Sequence, residues 1–277
     1  MNHLEGTFKG VRGLQIYHQT WIPDGEIKAA ILVVHGLGEY SGRYINVVNH
    51  MVPKGYAVYG FDLPGHGKSG GVREYVKEFS EYTQTVTAVF NIVRAEQPGK
   101  PVFLLGHSMG GLIACHYLLD HSADFQGAVI SAPGIMIPEF VTKFTVFAGK
   151  ALSIIAPKNG LIALDANAVS RDPDVVQAYV SDPLVFHGKT TARLSAEMLQ
   201  AMMTVNEKIE QITVPLIGVH GSDDQLANPK ASQLLNDRAS SVDKTLKIYD
   251  GLYHEVFNEP EHEQVLGDVA DWLDAHL

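Results

Sequence analysis

Cysteine is almost absent: Cys115 is the single one among 277 residues. No intramolecular disulfide can form, which excludes a disulfide-stapled scaffold and fits a reducing compartment. Inside a helical stretch, Cys115 reads as a small buried side chain rather than a nucleophile. Cysteine pairs and a His-Glu-x-x-His pattern are missing as well, so no metal site is expected. Positive charge is scarce. Lys and Arg total 21 against 31 Asp and Glu, a formal net charge of −10, which argues against a general nucleic-acid binder. Long apolar runs are also lacking. The longest, Phe144 to Pro157, contains Lys150 and is too short to span a bilayer. Met1 to Gly10 shows neither an apolar h-region nor a cleavage pattern. A soluble, cytoplasmic protein is expected.

What is present is ordinary globular material, 45% hydrophobic and 19% charged, so disorder is not expected. The stretch that organises it is Pro101 to Gly111. Val102 to Leu105 reads as a buried strand, Gly106-His107-Ser108-Met109-Gly110 matches G-x-S-x-G, and Leu112 to Leu119 reads as a helix. In that setting the motif is a nucleophile elbow, with a serine in a strained turn and glycines letting strand and helix approach.

Around it, strands alternate with helices. Leu14–Trp21 alternates like an antiparallel strand, and Ala29–Val34, Tyr56–Phe61 and Gly127–Ser131 are apolar runs of buried strands. Between Gly134 and Val214 no strand stands out, and helical spacing takes over; Pro215–Val219 and Thr245–Tyr249 then resume the sheet. The expected fold is α/β, a mostly parallel central sheet with helices on both faces. Residues 1–134 and 212–277 form the core, and residues 135–211 a helical cap inserted after the sixth strand. His35, Asp62, Ser108, Ser131, Asp224 and His254 all follow strands, so they should converge on one rim.

A serine hydroxyl needs a base to take its proton, and the base needs an acid to orient it. The order Ser, Asp, His fits an α/β-hydrolase arrangement. Ser108 is the nucleophile, and His254, after the last strand, stands where the base belongs. Asp223 and Asp224 qualify equally as the acid on local chemistry. His107 is consumed in the elbow, and His220 reads as a core or rim residue. The oxyanion requires backbone donors, most simply the amides of Leu37 and Met109. Two other patterns fail. Gly67-Lys68-Ser69 ends like a P-loop, but the earlier glycine would fall on Asp62. Gly36-Leu37-Gly38 starts like a dinucleotide fingerprint, but its third glycine would fall on Ser41. Phe140, Phe144, Phe147, Ala151 and Ile155 share one helical face, widened by Leu152 and Ile154. That face is expected either to pack on the sheet rim or to line an acyl entrance and touch lipid surfaces.

The chain resembles monoacylglycerol lipases and the related lysophospholipase-like serine hydrolases. The resemblance lies in His35-Gly36-Leu37-Gly38-Glu39-Tyr40-Ser41-Gly42-Arg43-Tyr44, Asp62 to Gly71, the elbow and Ser131-Ala132-Pro133. It continues through Ser170-Arg171-Asp172-Pro173, Ser181-Asp182-Pro183-Leu184, Gly221 to Leu226 and Tyr253-His254-Glu255. It implies hydrolysis of a carboxylic ester of glycerol without a cofactor, on a small-molecule lipid substrate. The alternatives are a lysophospholipase, a general carboxylesterase, a serine aminopeptidase or a binding protein on the same scaffold. The family's Gly-x-x-Asp-x-Leu pattern puts the acid on Asp224, and its oxyanion donors on Leu37 and Met109. It also implies that Glu39 and Arg43 lie near a glycerol pocket; an ion pair bracing the oxyanion loop is the other reading. With them, Phe144 and Ile155 are candidate substrate contacts on the acyl side. Asn228 and Phe257 stand where family members often carry an acidic residue and a histidine, departures that bear on alcohol selectivity.

Overall fold

The computed structural model describes residues 1–138 and 141–277, apart from the Lys143 side chain. Phe140 lies outside the described residues.

The strands are β1 (Asn2–Lys9), β2 (Gln15–Ile22), β3 (Ala29–Val34), β4 (Tyr56–Phe61), β5 (Val102–His107), β6 (Gly127–Ser131), β7 (Gly160–Ile162), β8 (Thr190–Thr191), β9 (Leu216–Gly221) and β10 (Lys244–Tyr249). The helices are α1 (Ile45–Met51), α2 (Ser80–Glu96), α3 (Met109–His121), α4 (Lys143–Ile155), α5 (Pro173–Ser181), α6 (Ala192–Lys208), α7 (Lys230–Arg238) and α8 (His262–Ala275). Eight strands form one sheet in the order β1-β2-β4-β3-β5-β6-β9-β10. Its β4-to-β10 portion is parallel, with antiparallel pairing only where β2 meets β1 and β4.

The continuous apolar runs have a physical cause: successive side chains point to opposite faces, and both faces are covered. Ala30, Leu32 and Val34 of β3 enter a core with α2 and α3, while Ala29, Ile31 and Val33 enter a second core with α1 and α8. In β5, Leu104 faces the first core and Phe103 and Leu105 the second.

Three elements differ from expectation. β1 shows no apolar alternation because it is an exposed edge ribbon held by its ladder to β2, Asn2↔Ile22 through Lys9↔Gln15. The segment between β6 and β9 does contain strands, but only the short β7–β8 ladder, and Gly160–Ile162 is exposed throughout. That segment also holds α5, started by Asp172, whose side chain accepts from the Asp174 amide at 2.9 Å, with Pro173 in the first turn. α4 begins at Lys143 because Thr142 and Thr145 form a reciprocal cap. α6 anchors the insertion, with Leu194, Ala201 and Val205 buried in the same core as α3. Among the described residues no helix is long and apolar enough to cross a membrane.

Candidate active site

Ser108 joins β5 to α3 at φ +56° and ψ −119°, a left-handed conformation that a serine adopts only when its surroundings enforce it. Here they do. The Ser108 amide donates to the Ser131 carbonyl at 3.0 Å, and its own carbonyl accepts from Leu112 and Gly134, each at 3.0 Å. A Cβ on Gly106 would come within 2.5 Å of the Gly110 carbonyl oxygen, so only glycine lets α3 start this close to β5. The helix therefore begins at Met109, three residues before the expected Leu112, with its N-terminal amides aimed at the serine.

His254 lies in the loop after β10. Its Nδ1 is 2.7 Å from Asp224 Oδ2, which leaves Nε2 for the serine side. The His254 ring also packs against His107, with centroids 4.7 Å apart. Asp224 is buried, whereas Asp223 is exposed and accepts from its neighbour Ser222 Oγ at 2.8 Å. The two aspartates that were locally equivalent are thus separated by burial and by the histidine they face. Asp224 Oδ1 accepts the amides of Leu226 and Ala227 at 2.7 and 2.9 Å, and Oδ2 is shared with His220 Nε2 at 2.9 Å. Burial alone would raise this carboxyl. The hydrogen bonds from His220 and His254, the His254 charge and the Ala227 amide outweigh it and hold Asp224 well below the usual carboxylate range.

Sequence reasoning did not find the role of His220. Its Nδ1 lies 2.7 Å from Ser232 Oγ, which fixes the ring against Asp224. The available signal is its place four residues before Asp224 at the end of β9. His107, as expected, is spent in the elbow: its Nδ1 is 3.0 Å from Ser131 Oγ, and burial with the nearby His254 pulls it down to about 3. His35 accepts the Leu63 amide at Nε2, 2.9 Å, and burial with the nearby His66 pulls it down to about 3 as well. Both are neutral bracing groups.

Leu37 sits in the loop after β3 and Met109 opens α3. Neither amide donates to a backbone acceptor among the described residues, so both are free for a developing oxyanion. The loop that carries Leu37 is held by Glu39, whose Oε1 accepts the Gly36 amide at 2.6 Å and the Tyr44 hydroxyl at 2.8 Å. Arg43 donates to Glu39 Oε2 at 3.0 Å and, from both guanidinium nitrogens, to Glu255 at 2.5 and 2.7 Å. It also stacks 4.7 Å from the Tyr179 ring centre. Burial opposes the Glu255 charge, but Arg43 reverses this and holds the carboxyl below its ordinary range. Glu39 and Arg43 are thus bonded to each other and to Gly36, Tyr44 and Glu255, and with Tyr44, His107, Phe257 and Asn258 they line a small cavity.

An apolar cavity of about 320 Å³ runs from Leu37 between α4 and α6, past Val141, Thr145, Gly149, Met198 and Met202. Phe144 and Ile155 are not on its wall. They are 76% and 82% exposed and lie with Phe147 and Ile154 on the outer face of α4. The helix does border a channel, but with its small residues; its aromatic stripe faces away. Among the described residues no group of three or more His, Cys, Asp or Glu is arranged to hold a metal ion.

A serine on a strained turn at the carboxyl edge of a doubly covered parallel sheet is the architecture of an α/β-hydrolase. The chain belongs to the family described as "Serine aminopeptidase, S33", whose profile matches residues 25–261. It is 39% identical over 273 residues to the monoacylglycerol lipase of Mycolicibacterium smegmatis, covering 99% of this chain and 98% of that protein. It is 37% identical over 264 residues to the monoglyceride lipase of Homo sapiens, covering 94% and 87%. Among solved structures, the monoacylglycerol lipase of Paleococcus ferrophilus matches with a TM-score of 0.84 at 31% identity, covering 95% of this chain and 99% of that one.

Proposed function

We propose that the protein hydrolyses monoacylglycerols to glycerol and free fatty acid through an acyl-enzyme on Ser108. The observation that carries the reading is the buried Asp224–His254 contact of 2.7 Å on the same rim as the strained Ser108. Ser108 Oγ attacks the ester carbonyl while His254 Nε2 takes its proton. Asp224 fixes the tautomer and balances the imidazolium charge. The amides of Leu37 and Met109 hold the oxyanion. The tetrahedral intermediate then collapses, His254 gives its proton to the departing glycerol oxygen, and the acyl group stays on Ser108. Water, deprotonated by His254, releases the fatty acid by the same steps in reverse order.

In this reading residues 1–134 and 212–277 form the hydrolase core, and residues 135–211 form a cap. The apolar cavity under α4 takes the acyl tail, since each buried methylene is worth about 0.8 kcal/mol. The exposed Phe144, Phe147, Ile154 and Ile155 meet a lipid surface from which substrate is drawn.

The test is a hydrolysis panel of monoacyl-, diacyl- and triacylglycerols, lysophospholipids, p-nitrophenyl esters and aminoacyl p-nitroanilides, with a fluorophosphonate label on Ser108. Monoacylglycerols should be cleaved best, and S108A should lose both label and turnover. Faster cleavage of aminoacyl anilides than of glyceryl esters would make the enzyme an aminopeptidase instead.

A further inference from the structure

Asp224 serves two imidazoles. Its Oδ2 lies 2.7 Å from His254 Nδ1 and 2.9 Å from His220 Nε2, and the side chains of His220 and Asp224 are both fully buried. The hydrogen on the His220 ring is fixed from both ends. Nε2 faces two groups that only accept, the Asp224 carboxylate and the Ala227 carbonyl at 3.1 Å, so Nε2 carries the hydrogen. Nδ1 lies 2.7 Å from Ser232 Oγ, and that hydroxyl has no other acceptor among the described residues, so it donates to Nδ1. His220 is a neutral ring with one donor. That donor is aimed at the oxygen that orients His254.

Asp224 does not need this bond to be satisfied. Oδ1 already accepts the Leu226 and Ala227 amides, and Oδ2 already has the His254 ring. The bond therefore acts on how the carboxylate charge is shared. A hydrogen bond to the charged form of an acid disperses its charge, and what His220 draws from Oδ2 is lost to the attraction between Oδ2 and a protonated His254. The other charged and titratable groups placed around His254 do not compete in this way. His107 packs on its ring with centroids 4.7 Å apart and is held neutral, pulled down to about 3. Glu255, the next residue, is paired with Arg43 through both guanidinium nitrogens. Among the described residues His220 is the one side chain besides His254 that bonds to Asp224.

We propose that His220 is a positioning residue: its Nε2–H shares Asp224 Oδ2 with His254, loosens the hold of the acid on a resting imidazolium, and so keeps His254 free to act as base at lower pH. An undivided Asp224 charge would leave His254 protonated, and idle, in mildly acid water. The divided charge still orients the ring through Nδ1 and still balances the imidazolium that forms when the Ser108 proton is taken. This rests on the hydrolase reading above, in which His254 is the base, and adds the group that sets the pH range over which that base works.

The experiment uses the full chain and follows kcat/KM for p-nitrophenyl decanoate, and the rate of fluorophosphonate labelling of Ser108, from about pH 5 to about pH 9. Two variants divide the functions of the ring. In H220Q the amide nitrogen stands where Nε2 stood and keeps the donor to Asp224. In H220N the amide oxygen takes the place of Nδ1, keeps the Ser232 hydroxyl and stops short of Asp224. The acid limb of both profiles should move up by about one pH unit in H220N, whatever happens to its plateau, and stay in place in H220Q. Imidazole nitrogen shifts in the wild type, from ¹⁵N-labelled histidine, give a check that needs no variant: His220 should remain the Nε2–H form while His254 titrates. An H220N that loses activity equally at every pH would reduce His220 to a structural brace, and an H220Q limb displaced as in H220N would remove the donor from the argument. A wild-type His220 with its hydrogen on Nδ1 would overturn the proposal as well. All three leave the hydrolase reading intact. Wild-type enzyme that neither takes the label nor turns over the ester would overturn both.

Discussion

Arg43 grips Glu255, the residue after His254, with both guanidinium nitrogens at 2.5 and 2.7 Å, and reaches back to Glu39 on the oxyanion loop at 3.0 Å. One buried cation thus couples the segment that carries the proposed base to the segment that carries a proposed oxyanion donor. Removing one partner of such a cluster leaves unpaired buried charge, which costs about 3–5 kcal/mol. R43M should therefore lower stability by that order and reduce kcat alike for glyceryl and p-nitrophenyl esters. Urea denaturation and parallel kinetics check it. A loss confined to glyceryl esters would return Arg43 to the alcohol pocket.

The neighbouring aspartates give a second, sharper contrast. Asp224 is buried and holds two histidines, while Asp223 is exposed and its carboxylate accepts from Ser222. D224N turns an acceptor-only group into one that can present a donor to His254 Nδ1, which favours the wrong tautomer. Its kcat should drop by about 10⁴-fold, the loss expected for the acid of a serine triad. D223N should stay within a few-fold of the wild type. A damaged D223N with an active D224N would reverse the assignment.

The legibility of these features differed for physical reasons. The elbow could be read because a doubly buried strand is apolar without interruption, and because Gly106 and Gly110 mark a close approach that no other residue permits. Strand order places Ser108 after β5 and His254 after β10. β1 left no trace because an exposed ribbon buries little, so its ladder with β2 needs no apolar pattern. Asp223 and Asp224 could be separated only by family pattern, since burial is decided by the fold around the turn. Phe144 and Ile155 show what periodicity omits. It says that α4 has an apolar face, not what covers that face, and here the cavity lies along Thr145 and Gly149. His220 was hidden among 13 histidines, because its partner is reached only when β9 ends.

The buried histidines make a prediction about acid stability. His35 and His107 are both pulled down to about 3 by burial and a neighbouring histidine, against 6.5 when free. Between those values the unfolded chain binds protons that the folded one refuses. Stability should then rise with pH across this window and be lost as pH falls below about 6.5, by about 1.4 kcal/mol per pH unit for each histidine. H107Q keeps a polar group against Ser131 and removes one titrating site. Denaturant midpoints measured from about pH 7.5 down to about pH 5 should fall less steeply in H107Q, by roughly one proton's worth of slope. An unchanged slope would mean that His107 is not held neutral.

The cavity under α4 sets the last prediction. Gly149 lines it, and a Cβ built there meets nothing within 4 Å. A leucine at this position starts from open space and projects toward the volume proposed for the acyl tail. It should also strengthen α4, because glycine costs a helix interior about 1 kcal/mol relative to good helix formers. Thermal melting of G149L beside the wild type separates a loss of activity from a loss of fold. Denying the tail three or four methylenes at about 0.8 kcal/mol each should cut kcat/KM for octadecanoyl esters roughly a hundredfold and spare butanoyl esters. F144S supplies the contrast. Its side chain is 76% exposed on the opposite face, so it should leave chain-length preference on dissolved esters unchanged and weaken only turnover at vesicles. Kinetics on a chain-length series, with and without phospholipid vesicles, separates the two. Equal losses for short and long esters in G149L would remove the acyl tail from this cavity.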